Sequence, residues 1–411
     1  MNTMKDSGIE WIGEVPQHWT LQKIATLYQV RNQKVSDKDF PPLSVTMKGI
    51  VPQLETAAKT NDGDNRKLVR VGDFAINSRS DRRGSCGISS YDGSVSLINT
   101  VLTPKGEMNP KYYNWLFHTV QFADEYYKCG HGIVDDLWTT TWQEMKRITI
   151  PTPPIDEQKA IAEFLDKKCE EVDGLIADIQ MQINTLEQYK RSTITEAVTK
   201  GLNSTAEMKD CELEWASKIP THWEVVPNKY LMAKKKIIQP IYKGEDILSL
   251  TVNGVIKRDL ENPSGKMPTS FDGYQVVYPN NLLMCLFDID VTPRCVGVVK
   301  DYGLTSPAYS QFILNEKADT NYYYYYYLSL DFTKELLHLA KNQRHSLNEE
   351  QFGAIKAVVP PIDEQEAIAE YLDKKCAEID ACIEEKKSEI SVLETYKKSI
   401  IFEYVTGKKE V

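Results

Sequence analysis

The sequence predicts an α+β protein made by tandem duplication: an α/β globule followed by a long helix, twice over, with the two helices packed together as a coiled coil. Three observations carry this. Short motifs recur in the same order at an interval near 205 residues in a chain of 411, which is a duplication rather than a short-period solenoid. One recurring segment is almost unchanged between the copies and carries apolar residues at heptad spacing. The stretches between have diverged and hold short β-like runs broken by Gly, Asn and Asp.

The repeat begins with Glu10-Trp11 and Pro16-Gln17-His18-Trp19, which return as Glu214-Trp215 and Pro220-Thr221-His222-Trp223, an offset of 204. Leu43–Ile50 returns as Leu248–Val255 at an offset of 205, and Gly93–Ser96 resembles Gly303–Ser306 at 210. The strongest match pairs Pro153–Asp173 with Pro360–Asp380 at an offset of 207. Only four of 21 positions differ: Lys159/Glu366, Phe164/Tyr371, Glu170/Ala377 and Val172/Ile379. One part of the unit therefore does the same job twice, and the other does a similar job with different specifics.

The near-identical segments read as helices. Pro-Pro is a poor helix interior but a good preface, and Asp156 or Asp363 can cap, with acidic residues favoured in the first turn. A seam then runs Leu165, Cys169, Val172, Ile176, Ile179, Ile183, Leu186; its copy runs Leu372, Cys376, Ile379, Ile383, Lys386, Ile390, Leu393, with Lys386 interrupting the stripe. Helices of about 40–45 residues, roughly 60–67 Å long, cannot bury such stripes alone, so they are expected to pack on each other rather than separately on globular neighbours. Their outer faces, acidic and studded with Lys, are expected to dock a partner, because solvation alone does not demand near-identity. The expected division is 1–152 for the first globule, 153–200 for its helix, 201–359 for a linker and the second globule, and 360–411 for the second helix.

In the globules, β-like runs fall at Leu43–Thr46, Phe74–Asn77, Ser96–Leu102, Leu248–Val252, Leu282–Phe287 and Gln311–Leu314, and helical stretches near Tyr112–Tyr127 and Tyr322–Lys341. At about 130 residues, each segment is large enough for its own core.

The net charge of −10 argues against nucleic acid until it is divided along the chain. Residues 20–152 carry +3 and 224–359 carry zero, whereas 153–200 carry −4 and 360–411 carry −5. Acidity sits on the helices, and local fields decide phosphate attraction, since screening cuts in beyond about 10 Å. No apolar run approaches the roughly 20 residues of a membrane span, and Met1–Asp6 leads straight into polar sequence, so no secretory leader is expected. The eight cysteines form no CxxC pair and read as reduced thiols. The expected compartment is the cytoplasm.

Candidate DNA contacts lie on loops. Ser78-Arg79-Ser80-Asp81-Arg82-Arg83-Gly84 follows a predicted strand; its counterpart is Asp288–Arg294. Arginine forks at Arg79, Arg82, Arg83 and Arg294 suit guanine O6/N7 or phosphate oxygens, against the bland reading of a surface loop with incidental charge. Lys234, Lys235 and Lys236, and Arg344 in Arg344-His345-Ser346, are further candidates, although a lysine run is commonly a solvated face. Tyr322–Tyr327, like Tyr112, Tyr113 and Trp115 in the first half, read mainly as core and rim rather than as base-stacking platforms. His18 and His222 lack metal-ligand neighbours and are expected to cap or pack, not catalyse.

Phosphate loops, GxGxxG, GxSxG, HExxH and paired CxxC motifs are missing from the sequence, as is the Asn- or Asp-Pro-Pro-aromatic signature of amino-methyltransferases. The ordered anchors Glu-Trp-Ile-Gly-Glu-Val-Pro-x-His-Trp and Pro-Pro-Ile-Asp-Glu-Gln-x-Ala-Ile-Ala-x-x-Leu-Asp, each occurring twice, the first returning with Glu214-Trp215 and Pro220-x-His222-Trp223 kept, resemble type I restriction-modification specificity subunits over essentially the whole chain. The resemblance implies two target recognition domains, each reading half of a split site in double-stranded DNA. It implies antiparallel helices that space the half-sites and hold two methyltransferase subunits, with restriction subunits joining the complex. The chain itself would be non-catalytic and would hold no metal or cofactor. S-adenosylmethionine, ATP and Mg²⁺ would act on partner subunits. Two modules meeting one face of the duplex should have half-site centres about 10 bp apart. The rival readings are a coiled-coil scaffold without DNA recognition, which would not explain paired divergent globules, and a fused DNA-modifying enzyme.

Overall fold

The computed structural model describes residues 3–54, 62–133, 138–263, 265, 267–340 and 345–411. They divide into two compact units: Met1–Ile179 with Lys387–Val411, and Gln180–Lys386.

Two long helices, Ile155–Lys200 and Ile362–Val405, hold 46 and 44 residues. Each follows a Pro-Pro pair and opens with acidic residues, Asp156 and Glu157 or Asp363 and Glu364, where the free N–H groups favour negative charge. Each ends at a glycine of positive φ, Gly201 or Gly407. The heptad seam is visible in burial. Leu165, Cys169, Val172 and Ile183 are buried, as are Leu372, Cys376, Ile379 and Ile383; Ile176, Ile179, Leu186, Ile390 and Leu393 are half-buried. In the first unit the two helix segments run antiparallel: the Phe164 and Tyr404 rings lie 4.4 Å apart, and farther along Lys397 donates to Asp173 at 2.6 Å. The repeat-equivalent bond in the second unit joins Lys190 to Asp380 at 2.6 Å.

After a short N-terminal hairpin, Met4–Asp6 with Glu14–Pro16 or Met208–Leu213 with Ala216–Pro220, each globule is closed by pairing its next strand with its last, Thr20–Lys23 with Thr149–Thr152 and Glu224–Pro227 with Lys356–Val359. Inside lies a four-stranded antiparallel sheet. Its order is Cys86–Ile88, Phe74–Asn77, Asn99–Pro104, Tyr28–Val30 in the first unit, and Val296–Val298, Leu282–Met284, Ser310–Leu314, Met232–Lys235 in the second. A hairpin, Leu43–Thr46 with Gly49–Pro52 or Leu248–Thr251 with Gly254–Lys257, accompanies each sheet. Of the expected β-like runs, Ser96–Leu102 starts only at Asn99, and Leu282–Phe287 stops at Met284. The expected single helical stretch Tyr112–Tyr127 is two helices, Pro110–Phe117 and Val120–Lys128. The break comes where Thr119 caps the second helix, its hydroxyl accepting from Phe122 N at 3.2 Å. In the second unit, Thr320–Thr333 gives way to Glu335–Leu339 at Lys334, whose φ is 56°.

The cores are aromatic. Trp19, Phe74, Tyr113, Phe117 and Phe122 pack with Leu165, Ile401 and Val405 in the first unit. Trp223, Tyr322, Tyr323, Tyr326 and Tyr327 pack with Ile194, Val198, Ile368 and Leu372 in the second. The tyrosine run is thus interior, with Tyr324 alone partly exposed among its six residues. Among the described residues no helix is long and apolar enough to cross a membrane.

Lys386 sits half-buried on the seam. A polar residue at such a position lowers stability in exchange for register. Lys386→Leu is expected to add about 1 kcal/mol, read as a higher urea midpoint at unchanged slope.

Candidate nucleic-acid interface

The motifs that recur most faithfully meet in space. Glu157, in the first turn of the first long helix, places Oε1 2.7 Å from His18 Nε2 and accepts from Trp19 Nε1 through Oε2 at 2.9 Å. Glu364 repeats this with His222 at 2.7 Å and Trp223 at 3.0 Å. Each histidine is exposed and faces a carboxylate of the long helix that follows its globule. The next residue holds another element: Gln158 Oε1 accepts from Asn109 N at 2.9 Å, and Gln365 Oε1 from Asp319 N at 2.8 Å. Asn109 and Asp319 are the N-caps of the aromatic helices. About two turns later Asp166 accepts from Trp115 Nε1 at 2.9 Å and Lys111 Nζ at 2.7 Å, while Asp373 accepts from Tyr325 at 2.7 Å.

The aromatic helices also reach the end of a long helix. Tyr112 donates to the carbonyl of Val405 at 2.8 Å, and Tyr322 to that of Val198 at 3.0 Å. Carbonyls of a last helical turn lack partners of their own, so each hydroxyl satisfies one. The globules are fastened to rigid helices by bonds to charged and buried groups, which are stronger than neutral surface bonds. The sequence alone did not pair Glu157 with His18, 139 positions away; the available signal was that the two motifs recur together.

Near-identity that is not spent on seam or anchor falls on one exposed stripe. Asp156, Ala160, Glu163 and Lys167, with their copies Asp363, Ala367, Glu370 and Lys374, are exposed at spacings of four, three and four, which is one helical face.

Arg79, Arg82 and Arg83 are all exposed and share one loop in the first unit. Arg82 lies 3.5 Å from Asp81. Arg83 pairs with Asp124 and lies over the Tyr127 ring at 5.4 Å. By contrast Arg31 is spent on the buried Asp73 at 2.7 Å, and Arg66 is buried against Ser94 at 2.8 Å. The cleft beneath the loop, lined by Phe122, Tyr126, Tyr127 and Trp138, has room for little more than a water, which makes it no small-molecule site.

In the second unit the candidates are dispersed. Lys234 and Lys235 are half-buried on the edge strand Met232–Lys235, the first 3.7 Å from Glu349 and the second 3.8 Å above the Tyr278 ring; Lys236 is exposed. Arg294 is half-buried and donates to Tyr324 at 3.3 Å. It precedes the strand at the opposite edge of the sheet, so the structure does not bring it to the lysines. Arg344 lies outside the described residues. Among those described, no group of His, Cys, Asp and Glu could hold a metal ion. All eight cysteines are free. Burial raises the Cys86 and Cys295 thiols strongly and that of Cys169 to about 11, which keeps them unreactive.

The family described as "Type I restriction modification DNA specificity domain" matches residues 16–185 and 298–392, well over half of the chain. A putative type I restriction enzyme specificity subunit, MjaX, of Methanocaldococcus jannaschii is 24% identical over 435 residues, covering 97% of this chain and 96% of the relative. The MjaVIII specificity subunit of the same organism is 27% identical over 429 residues, covering 97% and 94%. A chain from a structure reported as "Structural basis underlying complex assembly and conformational transition of the type I R-M system" superimposes with TM-score 0.71 at 12% identity, over 96% of this chain and 99% of the other. The HsdS subunit of Thermoanaerobacter tengcongensis follows with TM-score 0.50 at 14% identity, over 96% and 98%; at these identities both likenesses bear on the fold. Doubled anchors, diverged globules and a family match across both halves agree: this chain belongs to the type I restriction-modification DNA specificity family.

Proposed function

We propose that this chain reads a two-part site in double-stranded DNA, one half with the globule of each unit, and presents the exposed stripe of each long helix to one of two methyltransferase subunits. The observation that carries the proposal is that one anchor, Glu-Gln against His-Trp and an aromatic helix, is built twice with matching geometry, while the globules it fastens have diverged. A duplicated mount with different heads fits a reader of two unlike half-sites. The stripe of Asp156, Ala160, Glu163 and Lys167 and its copy suit two copies of one partner. The seam length sets the gap, and half-site centres fall about one helical turn, near 10 bp, apart.

In this reading the chain does no chemistry. Adenine methylation from S-adenosylmethionine and restriction driven by ATP with Mg²⁺ belong to partner subunits, and the assembly works in the cytoplasm. The test is sequencing for N6-methyladenine in cells expressing this chain with and without the methyltransferase encoded beside it. A split motif methylated only when both are present is the expected result. A soluble, assembled complex that methylates nothing would point to a scaffold instead.

A further inference from the structure

Each globule carries a hairpin whose turn is built in the same way but ends in different side chains. Thr46 donates to the carbonyl of Gly49 at 2.9 Å and its hydroxyl accepts from Lys48 N at 3.1 Å. Thr251 does the same with Gly254 at 3.0 Å and Asn253 at 3.1 Å. The frame is fixed by the threonine and by a glycine with φ of 105° or 94°. The two residues it displays are Met47-Lys48 in one globule and Val252-Asn253 in the other. All four are exposed, and the apolar members strongly so, Met47 at 70% and Val252 at 55%.

The hairpins are also mounted alike. Each lies against the edge strand of the four-stranded sheet at a glycine. A Cβ on Gly87 would meet Gly49 Cα at 2.8 Å; one on Gly297 would meet Leu250 Cδ1 at 2.8 Å and Val255 Cγ2 at 2.9 Å. Only a glycine lets the ribbon lie this close. The edge strands Cys86–Ile88 and Val296–Val298 directly follow the loops Ser78–Gly84 and Asp288–Arg294. Each tip is therefore held on the sheet edge that its loop enters, and in the first globule that loop carries three exposed arginines.

A two-stranded ribbon fits the major groove, where Lys suits guanine O6/N7, Asn pairs with adenine N6/N7, and an apolar side chain meets the thymine methyl. We infer that the hairpin tips read bases, Lys48 with Met47 selecting a guanine-containing step in one half-site and Asn253 with Val252 an adenine-containing step in the other. This rests on the two-part reading proposed above. A solvent-facing turn has no packing reason to display Met or Val, whereas a shared frame with exchanged side chains is what two unlike half-sites require.

The test exchanges the tips in the full chain, assembled with its methyltransferase: Met47→Val with Lys48→Asn, and separately Val252→Met with Asn253→Lys. Lys48→Ala alone serves as a milder variant should the double change impair assembly. Methylated motifs and rates on oligonucleotides carrying single base changes are read for each. The expected result is that each exchange relaxes or alters one or two base pairs of one half-site, changing discrimination there about 10- to 100-fold, and leaves the other half untouched. If the unaltered complex methylates a split motif and the exchanged complexes keep the same motif with the same discrimination, the inference is overturned while the two-part reading stands. A uniform loss across all sequences would also overturn it, marking the tips as phosphate contacts. An unaltered complex that yields no split motif would overturn both.

Discussion

Replacing residues 20–150 with the matching segment of a family member that reads another site is expected to rewrite one half of the methylated motif, with the other half and the gap unchanged. The effect is categorical: methylation at the old site falls to background, because each wrong base pair costs about 1–3 kcal/mol and several change together. The exchange is feasible because what holds the globule in place lies outside the segment or is repeated within the family-like motifs. Glu157, Gln158 and Asp166 stay on the helix, and His18 and Trp19 precede the cut. The transplanted segment needs only to bring an aromatic helix whose N-cap backbone meets Gln158 and whose tyrosine, standing where Tyr112 stands, reaches Val405. Methylome sequencing reads the outcome directly. A change in both halves would show that the globules do not read independently.

Trp19→Ala is expected to destabilise the first unit by about 3–5 kcal/mol, the range for removing a large buried aromatic. Trp19 is 2% exposed within the core that includes Leu165 and Val405, so the cavity opens where globule and helix meet. The change also removes the donor that holds Glu157. Trp19→Phe keeps most of the packing, opens a smaller cavity and loses that bond, with an expected cost of about 1.5–3 kcal/mol for a bond to a charged group. Urea denaturation followed by circular dichroism separates the two. Equal losses for Ala and Phe would mean that the bond, not the packing, dominates the joint.

The long helices were legible because their signals are local and doubled: a Pro-Pro preface, a heptad stripe and 17 unchanged positions in 21. Strands of three or four residues, such as Gly93–Val95, are too short to show a period, and the break at His118 was hidden under continuous aromatic sequence although Thr119 is a recognisable cap. The anchor was hidden for a different reason, since its bonds link positions about 50 or about 140 apart. The candidate loop Ser78–Gly84 and the run Lys234–Lys236 were visible by charge, but the neighbours of Lys234 and Lys235 were not. These are Glu349 and the Tyr278 ring, partners no lysine run announces.

The make-up of the first unit has a consequence for synthesis. Its core uses Ile401 and Val405, and Tyr112 bonds a carbonyl of that last helical turn, yet the 207 residues from Gln180 to Lys386 that form the second unit are translated in between. At about 5–20 residues per second, the first globule waits about 10–40 s beside the ribosome with an aromatic surface uncovered. The second unit, contiguous in the chain, has no such wait. The nascent first globule is thus the stage of this protein's life most exposed to chaperones, proteases and aggregation.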